Sequence, residues 1–111
     1  MKAKPMTLVK ISVGVPVTHA DAVRRALADA GAGHMGNYSH TSFSYRGMGR
    51  FKPLEGAKPS IGEVGKLEEV EEEQIETTCL REKLKDVVEA VRKIHPYEEP
   101  AIDVIELVDI N

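Results

Sequence analysis

Twice in this chain a period-two alternation of apolar residues gives way, within a few residues, to an apolar stripe at helical spacing. Val9, Ile11, Val13 and Val15 alternate with Lys10 and Ser12, as in a strand with one face on a core. Pro16 ends that strand, and Thr18 with Asp21 three residues on reads as a helix N-cap with an acidic first turn. Ala20, Val23, Leu27 and Ala30 then recur at helical spacing, opposite Arg24, Arg25 and Asp29, until Gly31 stops the helix. The second switch is later. Ile75, Thr77 and Cys79 share a strand face, and Leu84, Val87, Val88, Val91 and Ile94 form the stripe of a second helix. His95-Pro96 terminates it, because proline disfavours helical geometry at the residue before it.

Two more strands complete the pattern. Residues 39–45 alternate, with Thr41, Phe43 and Tyr45 on one face, and residues 102–108 form the last strand. The third strand begins after Lys66, although the acidic run Glu68, Glu69, Glu71, Glu72, Glu73 weakens its first half; that run reads as a solvated strand edge or, alternatively, a cation site. The order βαββαβ predicts an α+β, ferredoxin-like sandwich: an antiparallel sheet with two helices on one face. Residues 47–65 are expected to be irregular, and a glycine-rich connection of that length is functional or mobile.

A chain of 111 residues, 41% hydrophobic, is expected to make a single domain spanning 1–111. Its net charge of −3, without a basic patch, argues against a nucleic-acid partner. The single cysteine, Cys79, has no partner for an intrachain disulfide, which fits the cytoplasm, and its alternation with Ile75 and Thr77 places it in the core. Lys2 and Lys4 precede an apolar stretch that Lys10 and Ser12 interrupt, so no signal peptide is read, and no run reaches membrane-spanning length. Both faces of the terminal strands carry apolar side chains: Met6 and Leu8 in the first, and Ile105 and Leu107 against Ile102, Val104 and Val108 in the last. A two-layer monomer would leave one such face wet, so a homo-oligomer is expected.

Polar residues able to do chemistry gather in two stretches. His34 and His40 bracket a glycine-rich loop that also holds Tyr38. Two histidines with nearby carboxylates can ligate a divalent metal ion, or they can satisfy backbone groups of the loop; a six-residue spacing does not separate these. The glycines of this region can bring backbone amides to a small anion, or can serve only as a helix cap and turns. His95 closes the second helix, and Tyr97, Glu98 and Glu99 follow between Pro96 and Pro100, a turn that either presents these residues to a ligand or merely routes the chain into the last strand. The site is expected where the 95–99 turn approaches His34 and His40, within one subunit or across an interface.

The segment 95–103, His-Pro-Tyr-Glu-Glu-Pro-Ala-Ile-Asp, resembles the HPYE-x-P signature of CutA-like divalent-cation-tolerance proteins. Residues 31–40 (Gly-Ala-Gly-His-Met-Gly-Asn-Tyr-Ser-His), 49–56 (Gly-Arg-Phe-Lys-Pro-Leu-Glu-Gly) and 61–69 (Ile-Gly-Glu-Val-Gly-Lys-Leu-Glu-Glu) resemble the domain inserted within bacterial YqfO-type, Nif-three-like proteins, also called GTP cyclohydrolase I type 2 homologues. The resemblance runs from about residue 10 to 107. It implies a stand-alone domain of CutA-like or PII-like fold, which in those relatives forms trimers. It implies no established activity, because the family's two-metal site belongs to flanking domains absent from these residues. The expected function is a non-catalytic regulatory, sensor or interaction module that binds a small anion or divalent metal ion between subunits. The alternatives are metal-assisted hydrolysis, with His34 and His40 as ligands and Glu98 as general base, and a structural subunit docking on a separate metal-hydrolase core.

Overall fold

The computed structural model describes residues 7–110. Met6, one of the residues behind the two-faced reading of the first strand, lies outside them. Six elements follow in order: β1 (Leu8–Pro16), α1 (Ala20–Asp29), β2 (Phe43–Phe51), β3 (Glu68–Leu80), α2 (Leu84–Ile94) and β4 (Ile102–Glu106). The four strands form one antiparallel sheet in the order β2-β3-β1-β4. With the helices on one face, this is the expected ferredoxin-like, CutA-like sandwich.

The period-two pattern of β1 fixes that arrangement. Val9, Ile11, Val13 and Val15 are all buried, packed in one cluster with Ala20, Val23 and Leu27 of α1, Val87 and Val91 of α2, and Ile75 and Cys79 of β3. Register carries the same face across the sheet, since Val9 pairs with Cys79, Ile11 with Thr77 and Val13 with Ile75. Cys79 is buried as expected, and burial pushes its thiol pKa up.

Several boundaries differ from the sequence reading. The second strand spans Phe43–Phe51 rather than 39–45, so the first residues of the segment 47–65, expected to be irregular, are strand. Gly47 and Gly49 are weak strand formers, but full pairing with β3, from Phe43↔Glu76 to Phe51↔Glu68, overrides that local preference. Thr18 is not the N-cap of α1. A short 3-10 turn, Val17–His19, intervenes, no cap side chain bonds the helix, and the Thr18 hydroxyl pairs with His19 Nδ1 at 2.9 Å. β4 ends at Glu106, not 108. The acidic stretch is no sheet edge where it meets β1: Glu72 and Glu73 pair with β1 on one side and β2 on the other. Residues 68–71 pair with β2 alone, so the β2–β3 hairpin projects beyond β1 as an arm.

The opposite sheet face is open and partly apolar. Register places Leu8, Leu80, Phe43, Tyr45 and Ile105 on it, and Phe43 (67% exposed) and Ile105 (58%) are among its bare side chains.

The loop after α1 turns through Gly33, at φ +76°, where the Gly33 N–H donates to the Thr78 carbonyl and the Thr41 N–H to the Gly33 carbonyl. A Cβ there would lie 2.6 Å from the Thr41 carbonyl oxygen, whereas one at Gly36 (φ +57°) would meet nothing. Gly36→Ala should therefore cost only the left-handed backbone penalty, about 1 kcal/mol. Gly33→Ala should cost clearly more, because the clash must also break the 33–41 pairing. Urea denaturation of the two variants checks the order; equal losses would count against the packing described.

Candidate functional site

Chemistry-bearing side chains converge at the end of the open sheet face where β1 meets the chain leaving α2. There the residues after His95 pass beside β1, with the Gly14 N–H donating to the Ala101 carbonyl at 3.3 Å. His95 is only 6% exposed. Its Nε2 lies 2.7 Å from the Gly14 carbonyl oxygen, and its Nδ1 accepts the Tyr97 backbone N–H at 3.1 Å. Burial, the largest influence, and then the nearby His19 lower the His95 pKa below its ordinary value; the Gly14 bond and the Glu72 charge oppose this without reversing it.

Tyr97 crosses from this turn onto the sheet. Its ring stands 5.1 Å from His95 and packs edge-on to Phe51 at 5.3 Å. Its hydroxyl donates to Glu72 Oε2 at 2.7 Å. Burial, and then the Glu72 bond and charge, push the phenol pKa well up, so the hydroxyl stays a donor. The Glu72 carboxylate lies where side chains at Gly14 and Gly49 would be: added Cβ atoms would come within 3.2 Å of Oε1 at Gly14 and 2.4 Å of the carboxyl carbon at Gly49. Two glycines on flanking strands thus make room for one acid in the central strand between them.

A loop closes this end of the face. The Glu98 carboxylate accepts the Lys58 backbone N–H at 2.9 Å, and the Ser60 hydroxyl donates to the Pro96 carbonyl at 2.5 Å. Between loop, turn and sheet lies a cleft of about 730 Å³ lined by residues including Arg50, Phe51, Glu72, Tyr97, Glu98 and Glu99.

The residues singled out from the sequence fall into two groups that one protomer does not bring together. Tyr97 and Glu98 line the cleft, and His95 is buried with both ring nitrogens bonded to the backbone. His40 instead lines a smaller cleft, of about 370 Å³, beside Arg24, Arg25 and Thr77. There Arg24 bonds Asp21 at 2.5 Å and Glu73 at 2.6 Å, and the bond to Arg24 lowers the Asp21 pKa. His40 sits at φ +61° with Nδ1 2.9 Å from the Ser39 hydroxyl. His34 and Tyr38 are exposed on the preceding loop, where Met35 and Tyr38 form a two-residue bridge. Among the described residues, no three His, Cys, Asp or Glu side chains are grouped to hold a metal ion, and no helix is long and apolar enough to cross a membrane.

Sequence reasoning missed Glu72 and Phe51. Both were legible only through register, which puts Phe51, Gly49, Glu72 and Gly14 on one face.

No family model matches the chain. A Bacillus subtilis protein named GTP cyclohydrolase 1 type 2 homolog is 54% identical over 97 residues, which are 87% of this chain and 26% of that protein. The chain is homologous to a domain of the GTP cyclohydrolase 1 type 2 homologues. It spans about a quarter of the length of the curated relatives it matches. Among solved structures, a Bacillus cereus protein related to NIF3 superposes with a TM-score of 0.85 at 47% identity, over 98% of this chain and 28% of that one. The periplasmic divalent cation tolerance protein CutA of Archaeoglobus fulgidus superposes with a TM-score of 0.67 at 19% identity, over 92% of this chain and 85% of that one. The second likeness is one of fold.

The hydroxyl bond at the cleft floor should be measurable. Tyr97→Phe keeps the ring on Phe51 and removes only the bond to the carboxylate, so it should cost about 1–2 kcal/mol. Tyr45→Phe, whose exposed hydroxyl reaches Glu76 at 3.5 Å, should change stability by less than about 0.5 kcal/mol. Chemical denaturation of both variants tests this, and equal costs would show that the Tyr97–Glu72 bond contributes nothing special.

Proposed function

We propose that this chain is a non-catalytic regulatory or sensor module of the cytoplasm, which binds a small ligand in the cleft beneath the 95–99 turn and associates with copies of itself through the open sheet face. The carrying observation is the Tyr97–Glu72 bond on the cleft floor, an aromatic donor held over a half-buried carboxylate, with the cleft's two sides latched by Glu98 and Ser60. Cys79 is buried with its thiol pKa raised, and the Tyr97 hydroxyl is held as a donor to Glu72, so neither is activated as a nucleophile.

The lining also bears on the ligand. Glu55, Glu72, Glu98 and Glu99 outnumber Arg50 and Lys52, so within one copy this cleft favours a cationic or neutral ligand over a small anion. A divalent ion would draw His34 or His40, both exposed, together with ligands from a second copy. A trimer is the proposed assembly, covering Leu80, Phe43 and Ile105. The match to a quarter of longer relatives favours a second reading, a domain that docks on a separate metal-hydrolase core.

Dye-monitored thermal melts at pH 7.5 against small organic cations, neutral metabolites, anions and divalent salts test the ligand site. A binder at 100 times its Kd should add about 2.7 kcal/mol of stability. For an organic or anionic binder, Glu72→Gln and Tyr97→Phe should abolish the response, and His34→Ala and His40→Ala should leave it intact; a response to divalent salts should instead be lost in His34→Ala or His40→Ala. The reverse pattern would move the site to the smaller cleft. Light scattering tests the assembly: the parent should run as a trimer, and Ile105→Asp with Leu80→Asp should yield monomers. A monomeric parent at micromolar concentration overturns the association.

A further inference from the structure

The ring of His95 is committed at both nitrogens. Nε2 faces the Gly14 carbonyl, which can only accept, so Nε2 carries a proton; Nδ1 faces the Tyr97 N–H, which can only donate, so Nδ1 keeps its lone pair. One state satisfies both, the neutral ring protonated at Nε2. A second proton, on Nδ1, would set two donors against each other in a site too buried for water to mediate.

The conflict falls where the turn is held. The His95 backbone N–H is tied to the Val91 carbonyl at 2.8 Å as part of α2, so the helix end stays fixed and the strain passes to residue 97. Tyr97 carries the hydroxyl on Glu72 and the ring on Phe51. The neighbouring Pro96 carbonyl and Glu98 carboxylate hold the loop through Ser60 and Lys58. The cleft floor and both latches therefore hang on a segment that the His95–Tyr97 bond keeps in place.

We propose that His95 is a protonation gate on the cleft: neutral, it holds the turn that keeps Tyr97 on Glu72, and protonated, it releases that turn and opens the cleft. This rests on the reading of the cleft as the ligand site. The charged groups around the ring act in opposite directions. Glu72, from β3, attracts a proton, and the Gly14 carbonyl of β1 favours the protonated ring; His19, from the turn before α1, repels a proton; Arg92 and Lys93 of α2 are exposed. Burial outweighs the attraction, so the closed form titrates below the ordinary 6.5. The sign follows by linkage. Because the closed state binds its proton more weakly than an open, solvated one, closure is fully present above pH 6.5 and is lost as pH falls toward the lower, closed-state value.

Amide and ring NMR of the full chain between pH 7.5 and 4.5, with hydrogen exchange corrected for intrinsic rate, tests the gate without any ligand. Between 6.5 and the closed-state value, Tyr97 amide exchange should rise about tenfold per pH unit. The Lys58 amide should rise with it, while Val87 in α2 stays protected. In His95→Gln, whose amide can still donate to Gly14 but does not titrate, that rise should vanish. A Tyr97 amide that ignores the His95 titration overturns the gate, as does a rise that persists unchanged in His95→Gln. If His95→Gln does not fold, the comparison of Tyr97 with Val87 in the parent decides: Tyr97 alone supports the gate, and both rising together, as in global unfolding, overturns it. Ligand binding at pH 7.5 with no opening on acidification would overturn the gate and spare the cleft reading. Opening with no binder found would count against the cleft reading alone.

Discussion

Everything in this molecule is referred to β1, which lies between β3 and β4 and buries Val9, Ile11, Val13 and Val15 under both helices. Fully burying an aliphatic side chain contributes about 1.5–3 kcal/mol, and moving this strand would expose the row while breaking ladders on two sides. The strand is therefore the most rigid reference in the fold. Its other face carries Gly14, whose carbonyl anchors His95 and whose missing side chain admits the Glu72 carboxylate. One strand thus holds the core on one side and the cleft on the other, so the turn beyond α2 is positioned by a scaffold that does not yield.

That dual use explains what could be read from the sequence. The helix Leu84–Ile94 was legible to the residue, because five apolar positions at helical spacing and a His-Pro stop all agree. β2 was not, since Arg46, Gly47, Gly49 and Arg50 read locally as loop, and only pairing with a long neighbouring strand makes them extended. In the site, the 95–99 turn stood out because polar residues crowd between two prolines. Glu72 did not, for it is one of five glutamates within six residues, and nothing local says which one a distant tyrosine will reach. His34, Tyr38 and His40 shared the turn's chemistry but not its place: they belong to the loop pinned at Gly33 and to the smaller cleft beside α1.

The acidic run illustrates the same limit. Read alone, Glu68 to Glu73 is a solvated, aggregation-resisting segment. In the fold its alternation divides it between faces: Glu73 turns to the helices and meets Arg24, while Glu72 turns to the open face and meets Tyr97. Adjacent residues of one composition end in different environments because period two sends them to opposite sides of the sheet.

The loop from 52 to 67 shows how such a site can be ordered and still be easy to open. It has few internal bonds of its own, among them Gly65 N–H to the Pro53 carbonyl and Ala57 N–H to the Leu54 carbonyl, and Leu54 and Leu67 remain exposed. Ordering a residue costs about 1–2 kcal/mol of backbone entropy, more than such sparse bonding and partial burial return. The loop's bonds to the rest of the fold include the two latches on the 95–99 turn, and that turn is bonded to His95. The loop is thus connected to β1 through a short chain of hydrogen bonds. Segments with sparse backbone bonding and little burial open at lower cost than a packed core, and this is the asymmetry that the proposed gate would use.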